Sequence, residues 1–367
     1  MTTLEQDAPP ADAELGEAVE AQMGKIVTEL GAALGVLLIS LGTRSGLWAA
    51  LAGAGPLTVD QVADKVSVDR ALVRDWLSAQ AAGGYLDYDP AGQTFTLPDA
   101  VAAAIYYGPG GALVDACATM LSSMGEGFAA FSAAFASGRG FGWHERTADH
   151  WHGSDVFTRI AVPAELIEVT IGEMTGVAAA LAAGGTVLDV GCGYGAPTMA
   201  IAEAHPAARV QGIDYHDASI AHSRAEAAAR GVGNVTFEVA AATELAGGGG
   251  YDLITFFDSL HDIGDPRGAL RRARAAVAPT GAVLLFEPLG GDHLQDNLNP
   301  NGRMYYAIST LACTPNAVSQ RTATSSEPLG AQAGEQRLRA LATETGFTRF
   351  RRLGVQAPMN LVLELRP

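Results

Sequence analysis

The hydrophobic pattern of the front part of the chain is helical at first and then changes to alternation. Over residues 16–107, apolar positions first recur three or four residues apart, as on one face of a helix. Residues 83–88 then alternate, a turn follows at 89–92, and residues 94–97 alternate again, which predicts a β-hairpin. Helices followed by a two-stranded wing are typical of a winged helix, and we predict this domain over residues 16–107.

The segments around this domain have different patterns. Residues 1–15 are acidic and carry two adjacent prolines, so we predict a mobile tail. Residues 108–180 form a second helical stretch with two segments that carry aromatic and histidine residues, at 141–145 and 149–152. The apolar run Leu30–Leu41 is followed at once by polar residues. This run predicts a buried or subunit-interface helix that is too short to cross a membrane.

Short apolar runs alternate with helical segments over residues 181–367. This arrangement is typical of an α/β fold with a doubly wound, mostly parallel sheet. The runs that we predict to be strands are Thr186–Val190, Arg209–Asp214, Val235–Ala242, Tyr251–Phe257, Ala282–Phe286, Phe347–Arg352 and Asn360–Leu365.

The composition is that of a globular protein and argues against nucleic-acid binding. Apolar residues make up 48% of the chain, and 23 Lys and Arg stand against 40 Asp and Glu, a formal net charge of −17. Such a charge repels polyanions. Residues 58–88, which include the third helix, hold three bases and five acids. We therefore predict that the winged helix serves dimerisation rather than DNA binding, so that the partner is a second copy of the chain.

The cysteines and the first residues indicate a cytoplasmic protein without a membrane partner. Cys117, Cys192 and Cys313 are too few and too scattered for a disulfide framework. The first twenty residues contain no Lys or Arg, which an export signal needs.

A glycine-rich loop follows the first predicted strand of the sheet. It runs from Gly191 to Gly195 as Gly-Cys-Gly-Tyr-Gly, and its third glycine is misplaced for a pyrophosphate-binding helix. Asp189 precedes it with a carboxylate that suits a positively charged ligand and opposes phosphate. The second strand ends in Asp214, whose carboxylate can accept both hydroxyls of a ribose.

On these residues the chain resembles a class I S-adenosylmethionine (SAM)-dependent methyltransferase. The resemblance implies a Rossmann-like sheet of seven strands that ends in an antiparallel hairpin, with SAM bound by residues 181–367. It also implies that residues 108–180 are a linker or lid over the acceptor pocket. Ala241-Ala242 stands where such enzymes often have Asp-Ala for adenine. The resemblance implies that Asp189, Gly191 and Gly193 line the methionine end of SAM, that Asp214 binds the ribose and that Tyr215 binds the adenine. The other implied cofactor-binding residues are Cys192, Ala241, Ala242 and Phe257.

The candidate reacting groups follow the fourth and fifth strands. The run from Leu260 to Asp265, Leu-His-Asp-x-x-Asp, resembles that of winged-helix small-molecule O-methyltransferases, in which the matching histidine is the general base. This assigns the base to His261, with Asp262 beside it. Glu287 ends the fifth strand and can orient the base or a substrate hydroxyl. Arg303 is a candidate partner for a substrate carboxylate.

A divalent metal, zinc or iron, is a further candidate cofactor. His144, His261 and His293 come from three loops that could converge and leave coordination positions open. A metal there favours C-methylation of a 2-oxo acid next to its keto group, as in the 2-oxo acid C-methyltransferases of peptide antibiotic biosynthesis that the chain also resembles.

Three functions therefore remain open for this sequence. We slightly prefer metal-assisted C-methylation of a small 2-oxo acid in antibiotic metabolism. The first alternative is O-methylation with His261 as general base and no metal. The second is a SAM-binding regulator without catalysis, in which the winged helix binds DNA.

Overall fold

The computed structural model describes residues 13–245 and 248–367. Most of the predicted tail, residues 1–15, therefore lies outside the described residues. The chain divides into two compact units, with the boundary between Ala118 and Thr119.

Helices make up most of the chain ahead of the large sheet. They are α1 (Ala13–Arg44), α2 (Leu47–Leu51), α3 (Val59–Val66), α4 (Arg70–Ala82), α5 (Asp99–Val101), α6 (Gly110–Glu126), α7 (Phe128–Ser137), α8 (Ala148–Ala161), α9 (Ala164–Glu173) and α10 (Val177–Ala182). A π-helical turn spans Ala102–Tyr107, and a 3₁₀ turn spans Trp143–Glu145.

The predicted winged helix is confirmed. Strands β1 (Asp87–Asp89) and β2 (Thr94–Thr96) pair antiparallel as the wing. Helix α3 begins with a capping box, in which Thr58 and Gln61 bind each other's backbone N–H. The core of the winged helix includes Trp48, whose ring packs edge-on against Trp76 at a centroid distance of 4.8 Å.

Helix α1 differs from its prediction in length and in burial. By length and composition alone, its stretch Leu15–Arg44 is apolar and long enough to cross a membrane. One such helix near an N-terminus is weak evidence for a membrane span. Only 17% of its most apolar window is buried. Of the two predicted alternatives, the buried helix is therefore wrong, because only the last turns pack on the two tryptophans. The subunit-interface helix stays a prediction. Its exposed apolar residues are Val19, Met23, Ile26, Val27, Leu30, Leu34, Leu37 and Leu41.

The second unit is built on the predicted seven-stranded sheet. Its order is β5-β4-β3-β6-β7-β9-β8, parallel except where β9 pairs with β7 and β8. The strands are β3 (Thr186–Val190), β4 (Arg209–Asp214), β5 (Val235–Val239), β6 (Tyr251–Phe257), β7 (Val277–Pro288), β8 (Arg349–Arg352) and β9 (Asn360–Arg366). The strand order changes direction at β3 and β6, and ligands bind at such a switch point beyond the carboxyl ends of the strands.

Both faces of this sheet are buried. Leu188 of β3 and Ile254 of β6 belong to the apolar core on one face, whereas their neighbours Val187 and Leu253 belong to the core on the other. Successive side chains of a strand point to opposite faces, so strands covered on both sides need continuous apolar runs.

The remaining helices cover the sheet or follow its strands. They are α11 (Ala196–Ala204), α12 (Asp217–Arg230), α13 (Pro266–Ala276), α14 (Pro300–Ile308), α15 (Thr314–Ser319) and α16 (Gly334–Glu344). Short 3₁₀ turns lie at Ala242–Glu244, Leu260–Asp262 and Leu294–Asn297, and a π-helical turn lies at Ser309–Cys313.

Candidate active site

The glycine loop turns the chain sharply from β3 into α11. Its glycines Gly191, Gly193 and Gly195 have φ values of 73°, 53° and 78°, in the left-handed region that favours glycine. The backbone N–H of Gly193 donates to Oδ2 of Asp214 at 3.0 Å. The loop therefore joins the ends of β3 and β4, where the sequence places a ligand.

The space around the loop differs from one glycine to the next. A Cβ at Gly191 would lie 2.7 Å from Cβ of Ser259, whereas a Cβ at Gly193 would have no heavy atom within 4 Å. The loop is thus packed on one side and open beside the Asp214 carboxylate. An open cradle with an acidic partner fits the ribose end of SAM.

Asp189 lies beneath the loop and is 1% exposed. Its carboxylate oxygens accept hydrogen bonds from Thr198 Oγ1 at 2.5 Å and Thr255 Oγ1 at 2.7 Å. Burial raises the pKa of Asp189 to about 6, against the lowering effect of the two hydroxyls. The carboxylate therefore ties α11 and β6 to β3, and its contact with the methionine end of SAM stays a prediction.

Tyr215 connects the end of β4 to the predicted lid segment. Its hydroxyl accepts from the backbone N–H of Trp143 at 3.0 Å and donates to Oδ1 of Asn316 at 3.1 Å. The same Asn316 oxygen accepts from the Trp143 N–H at 2.9 Å. The segment is therefore held against the residue that the sequence assigns to adenine, while closure on ligand binding stays a prediction.

His261 and Glu287 meet as a buried pair at the carboxyl ends of β6 and β7. His261 lies in the 3₁₀ turn after β6 and is 4% exposed, and Glu287 is 1% exposed. His261 Nδ1 lies 2.8 Å from Glu287 Oε2, and the backbone N–H of Leu260 donates to the other carboxylate oxygen at 3.1 Å. Glu287 therefore orients both the imidazole ring and the turn that carries it.

The charge of this pair changes the basicity of the imidazole. Burial by itself lowers the pKa of His261, but the carboxylates of Glu287 and Asp262 outweigh it and raise the pKa well above its usual value. His261 Nε2 lies 3.4 Å from Oδ1 of Asp262. That oxygen is buried without a hydrogen-bond partner.

The structure does not bring the predicted metal triplet together. In the two described ranges, the one group with metal-ligand spacing is His261, Asp262 and Cys313, whose ligand atoms lie within 4.8 Å of one another. His144 and His293 belong to no such group, and both are exposed. Sequence could not show this, because the direction of a loop side chain depends on its packing. His144 meets the Tyr215 ring edge-on.

The other predicted site residues have various surroundings. Phe257 is buried and packs on Phe286 at a centroid distance of 5.1 Å, and Cys192 is buried in a small core cluster. Ala241 and Ala242 are half-buried where the chain turns after β5. Arg303 is exposed on α14, and its contact with a substrate stays a prediction.

Three further residues at the site were missed by sequence reasoning. They are Cys313, Asn316 and Arg146. Cys313 and Asn316 lie far from the motifs along the chain, whereas Arg146 directly follows the segment 143–145. Cys313 ends a π-helical turn, a feature often found at functional sites, and burial raises the pKa of its thiol to about 11. No motif in the sequence identifies any of them.

A small pocket lies beside Arg146. Its walls combine apolar side chains with the charged Glu145 and Arg146 and the polar Ser123 and Thr147; the apolar ones are Met124, Phe128, Phe131, Phe141 and Leu311. Arg146 Nη2 donates to the backbone carbonyls of Leu311 and Ala312 at 2.9 and 3.3 Å, directly before Cys313 along the chain. The pocket therefore adjoins the His261 cluster through Arg146.

Comparison with known proteins gives two domain matches. Residues 181–344 match a family model described as a methyltransferase domain, and residues 32–106 match one described as an Rv2258c-like winged HTH domain. The ubiquinone biosynthesis O-methyltransferase of Acinetobacter baumannii (strain AYE) is 35% identical over 103 residues, which are 28% of this chain and 43% of that protein. The chain thus spans less than half the length of this curated relative.

Solved structures share the whole architecture at low identity. The S-adenosylmethionine-dependent methyltransferase SibL superposes with a TM-score of 0.65 at 20% identity, over 94% of this chain and 99% of that chain. The mitomycin 7-O-methyltransferase MmcR has a TM-score of 0.61 at 18% identity, over 96% and 100% of the two chains. At these identities the likeness shows the fold.

Proposed function

This chain is a member of the SAM-dependent methyltransferases, with a winged helix-turn-helix domain ahead of its methyltransferase domain, and we propose that it methylates a hydroxyl group of a small molecule. The observation that carries the proposal is the buried pair of His261 and Glu287 at the carboxyl ends of adjacent strands. A base in this place can take the proton of an acceptor hydroxyl.

Three residues of the second unit are suited to hold the donor. Asp214 offers a carboxylate for the ribose hydroxyls, Gly193 leaves open space beside it, and Tyr215 lies next along the chain. SAM supplies a methyl group activated by its positively charged sulfur. What remains for the protein is to align the acceptor and remove its proton.

His261 is suited to act as the base through Nε2. Its Nδ1–H donates to Glu287, so Nε2 is the ring nitrogen that takes up and releases the proton. Once Nε2 is protonated, the nearby Asp262 carboxylate stabilises the imidazolium. Both carboxylates therefore strengthen the base, as the raised pKa of His261 indicates. Because the neutral imidazole is needed, the rate is expected to rise with pH through that raised pKa.

The test of this mechanism is His261→Gln, with His152→Gln, at an exposed position of α8, as the control. Methyl transfer from radiolabelled SAM to a panel of phenols should fall by roughly 100-fold or more in the first variant and stay unchanged in the second. Binding of S-adenosylhomocysteine, followed by calorimetry, should be the same in both. A His261→Gln enzyme with wild-type turnover excludes the proposal.

The second candidate is metal-assisted C-methylation of a 2-oxo acid, favoured by the group His261, Asp262 and Cys313. Nitrogen, oxygen and sulfur donors suit zinc, and Oδ1 of Asp262 has no hydrogen-bond partner. Glu287 binds Nδ1 of His261, as carboxylates often do with histidines that ligate zinc. A bound divalent ion would supply Lewis-acid polarisation of a chelated 2-oxo acid. Metal analysis after chelation separates the two candidates, because full activity of the stripped protein excludes this one.

Two more specific predictions also remain proposals. A homodimer through α1 is supported by the exposed apolar residues of that helix. A role in antibiotic metabolism is supported by the likeness in fold to a mitomycin 7-O-methyltransferase.

A further inference from the structure

The residue at which the chain leaves β6 has an unusual backbone conformation. Asp258 has a φ of 47°, in the left-handed region that most residues with a side chain avoid. Its backbone N–H still donates to the carbonyl of Phe286 at 2.9 Å, so it continues the pairing of β6 with β7. The chain therefore leaves the sheet through a left-handed bend at Asp258, shortly before it reaches His261.

A side chain of another strand holds this bend. Asn360 begins β9, and its Nδ2 donates to Oδ1 of Asp258 at 2.7 Å. Strand β7 lies between β6 and β9 in the sheet, so this hydrogen bond reaches across β7. Asn360 is 4% exposed, and the hydrogen bond is therefore shielded from water.

The amide of Asn360 carries a cost that the sheet does not require. Its Oδ1 is buried and has no hydrogen-bond partner among the described residues. A buried polar atom without a partner destabilises the folded state, and an apolar side chain at this position would avoid that cost. An apolar side chain would also lose the hydrogen bond to Asp258. The contact with Asp258 therefore gives a physical reason for an amide here.

The bend at Asp258 sets the direction of the turn that carries the candidate base. Ser259, the next residue, is anchored by a hydrogen bond from its hydroxyl to the carbonyl of Val190 at 2.7 Å. The turn then brings Nδ1 of His261 to 2.8 Å from Oε2 of Glu287. The anchor at Ser259 fixes one point of the turn only. Its direction toward Glu287 therefore depends on the φ of Asp258.

We propose that Asn360 is a positioning residue for His261, which acts by holding Asp258 in its left-handed conformation. This inference rests on the proposed function and adds to it a residue of β9, a strand without any of the sequence motifs. The role requires no contact of Asn360 with SAM or with the acceptor. It requires only the backbone conformation of Asp258. Residues that tolerate a positive φ should therefore replace Asp258, whereas alanine should not.

The first test observes the hydrogen bond between His261 and Glu287 by nuclear magnetic resonance. A ring N–H that donates to a buried carboxylate exchanges slowly with water, so isotope-labelled histidine should give a downfield proton signal. His261→Gln should remove this signal, which assigns it. Asn360→Ala should also lose it, whereas the control Asn301→Ala, at an exposed position of α14, should keep it. A wild type without the signal, or an unchanged signal in Asn360→Ala, overturns the proposal.

Variants of Asp258 separate its backbone conformation from its charge. Asp258→Asn still accepts from Asn360 and tolerates a positive φ, so it should keep the signal, whereas Asp258→Ala should lose it. In the Asn360→Ala protein, Asp258→Gly should restore the signal, because glycine adopts a positive φ without support. Loss of the signal in Asp258→Asn, or no restoration by glycine, overturns the proposal. Circular dichroism checks folding, and if Asn360→Ala does not fold, the comparison of Asp258→Asn with Asp258→Ala decides.

Kinetics separate this inference from the proposed function. Asn360→Ala should lower kcat for methyl transfer by about tenfold and leave KM for SAM nearly unchanged, because a misplaced base slows transfer without altering the donor site. Asp258→Gly in the same protein should regain most of this rate. If the signals behave as expected but no acceptor is methylated, the proposed function fails alone. If methyl transfer depends on His261 but the signal does not depend on Asn360, this inference fails alone.

Discussion

At the scale of single residues, two buried carboxylates prepare the site in different ways. Glu287 accepts from the His261 ring and from the backbone of the turn that carries it, so it controls both position and basicity. Asp189 accepts from two threonine hydroxyls and joins β3 to its neighbours. Glu287 thus affects the reactivity of His261, whereas Asp189 stabilises the strand and helix on either side of the glycine loop.

The role of Glu287 leads to a prediction about pH dependence. Glu287→Gln removes a negative charge beside His261, so the pKa of the imidazole should fall. The acidic limb of kcat/KM against pH should then move to lower pH, and kcat at alkaline pH should fall by about tenfold because the base is weaker. The exposed Glu238→Gln serves as the control. An unmoved limb would show that Glu287 does not tune the base.

Asp189 leads to a prediction about stability. The pKa of Asp189 is raised to about 6 in the folded protein. Its contribution to the free energy of unfolding is therefore complete below the pKa that this carboxyl has in the unfolded chain, and it is lost as the pH rises through about 6. Relative to Asp189→Asn, the wild type should lose about 3 kcal/mol of unfolding free energy between about pH 4 and pH 7. Urea unfolding of both proteins at the two pH values measures this. A difference that does not change with pH would contradict it.

At the scale of elements, short irregular turns bring the site together, and regular helices and strands support it. The 3₁₀ turn Leu260–Asp262 places His261 against β7, and the turn Trp143–Glu145 rests on Tyr215 and Asn316. Helix α1 differs from the other long elements, because a row of its apolar residues is exposed. From Val27 to Leu41 the exposed apolar residues are spaced by three and four, which is the spacing of a helix seam.

The stripe on α1 leads to a prediction about assembly. If it is the seam of a homodimer, Leu34→Glu should convert the dimer to a monomer in sedimentation velocity, because a carboxylate in an apolar seam loses its hydration. Lys25→Glu, on an exposed part of the same helix, should leave the dimer intact. A wild-type monomer would refute the dimer, and flotation of the wild type with lipid vesicles would point to a membrane surface instead.

At the scale of the whole molecule, charge decides which partners can approach. The chain carries a formal net charge of −17. In helix α4, Arg70 pairs with Asp60, and Arg74 pairs with Asp75 at 2.8 Å. The two bases that α4 would present to phosphates are therefore each paired with an acid of the winged helix.

This leads to a prediction for the regulator alternative. The protein should not retard duplex DNA, even at about 50 mM salt, where phosphate contacts are strongest. Arg70→Glu should change nothing in this assay, because no phosphate contact is lost. Retardation that weakens steeply with salt would restore a DNA-binding role for the winged helix.

The amino-acid sequence by itself determined the winged helix, the seven strands and the glycine loop, because each depends on local periodicity and turn chemistry. It also placed His261 and Glu287 at one edge of the sheet, since parallel strands end together. Which side chains converge there was decided by the tertiary structure alone. Cys313 joins His261 from a segment some fifty residues away, whereas His144 and His293 remain exposed. Such meetings depend on packing between distant segments, and no local pattern encodes them.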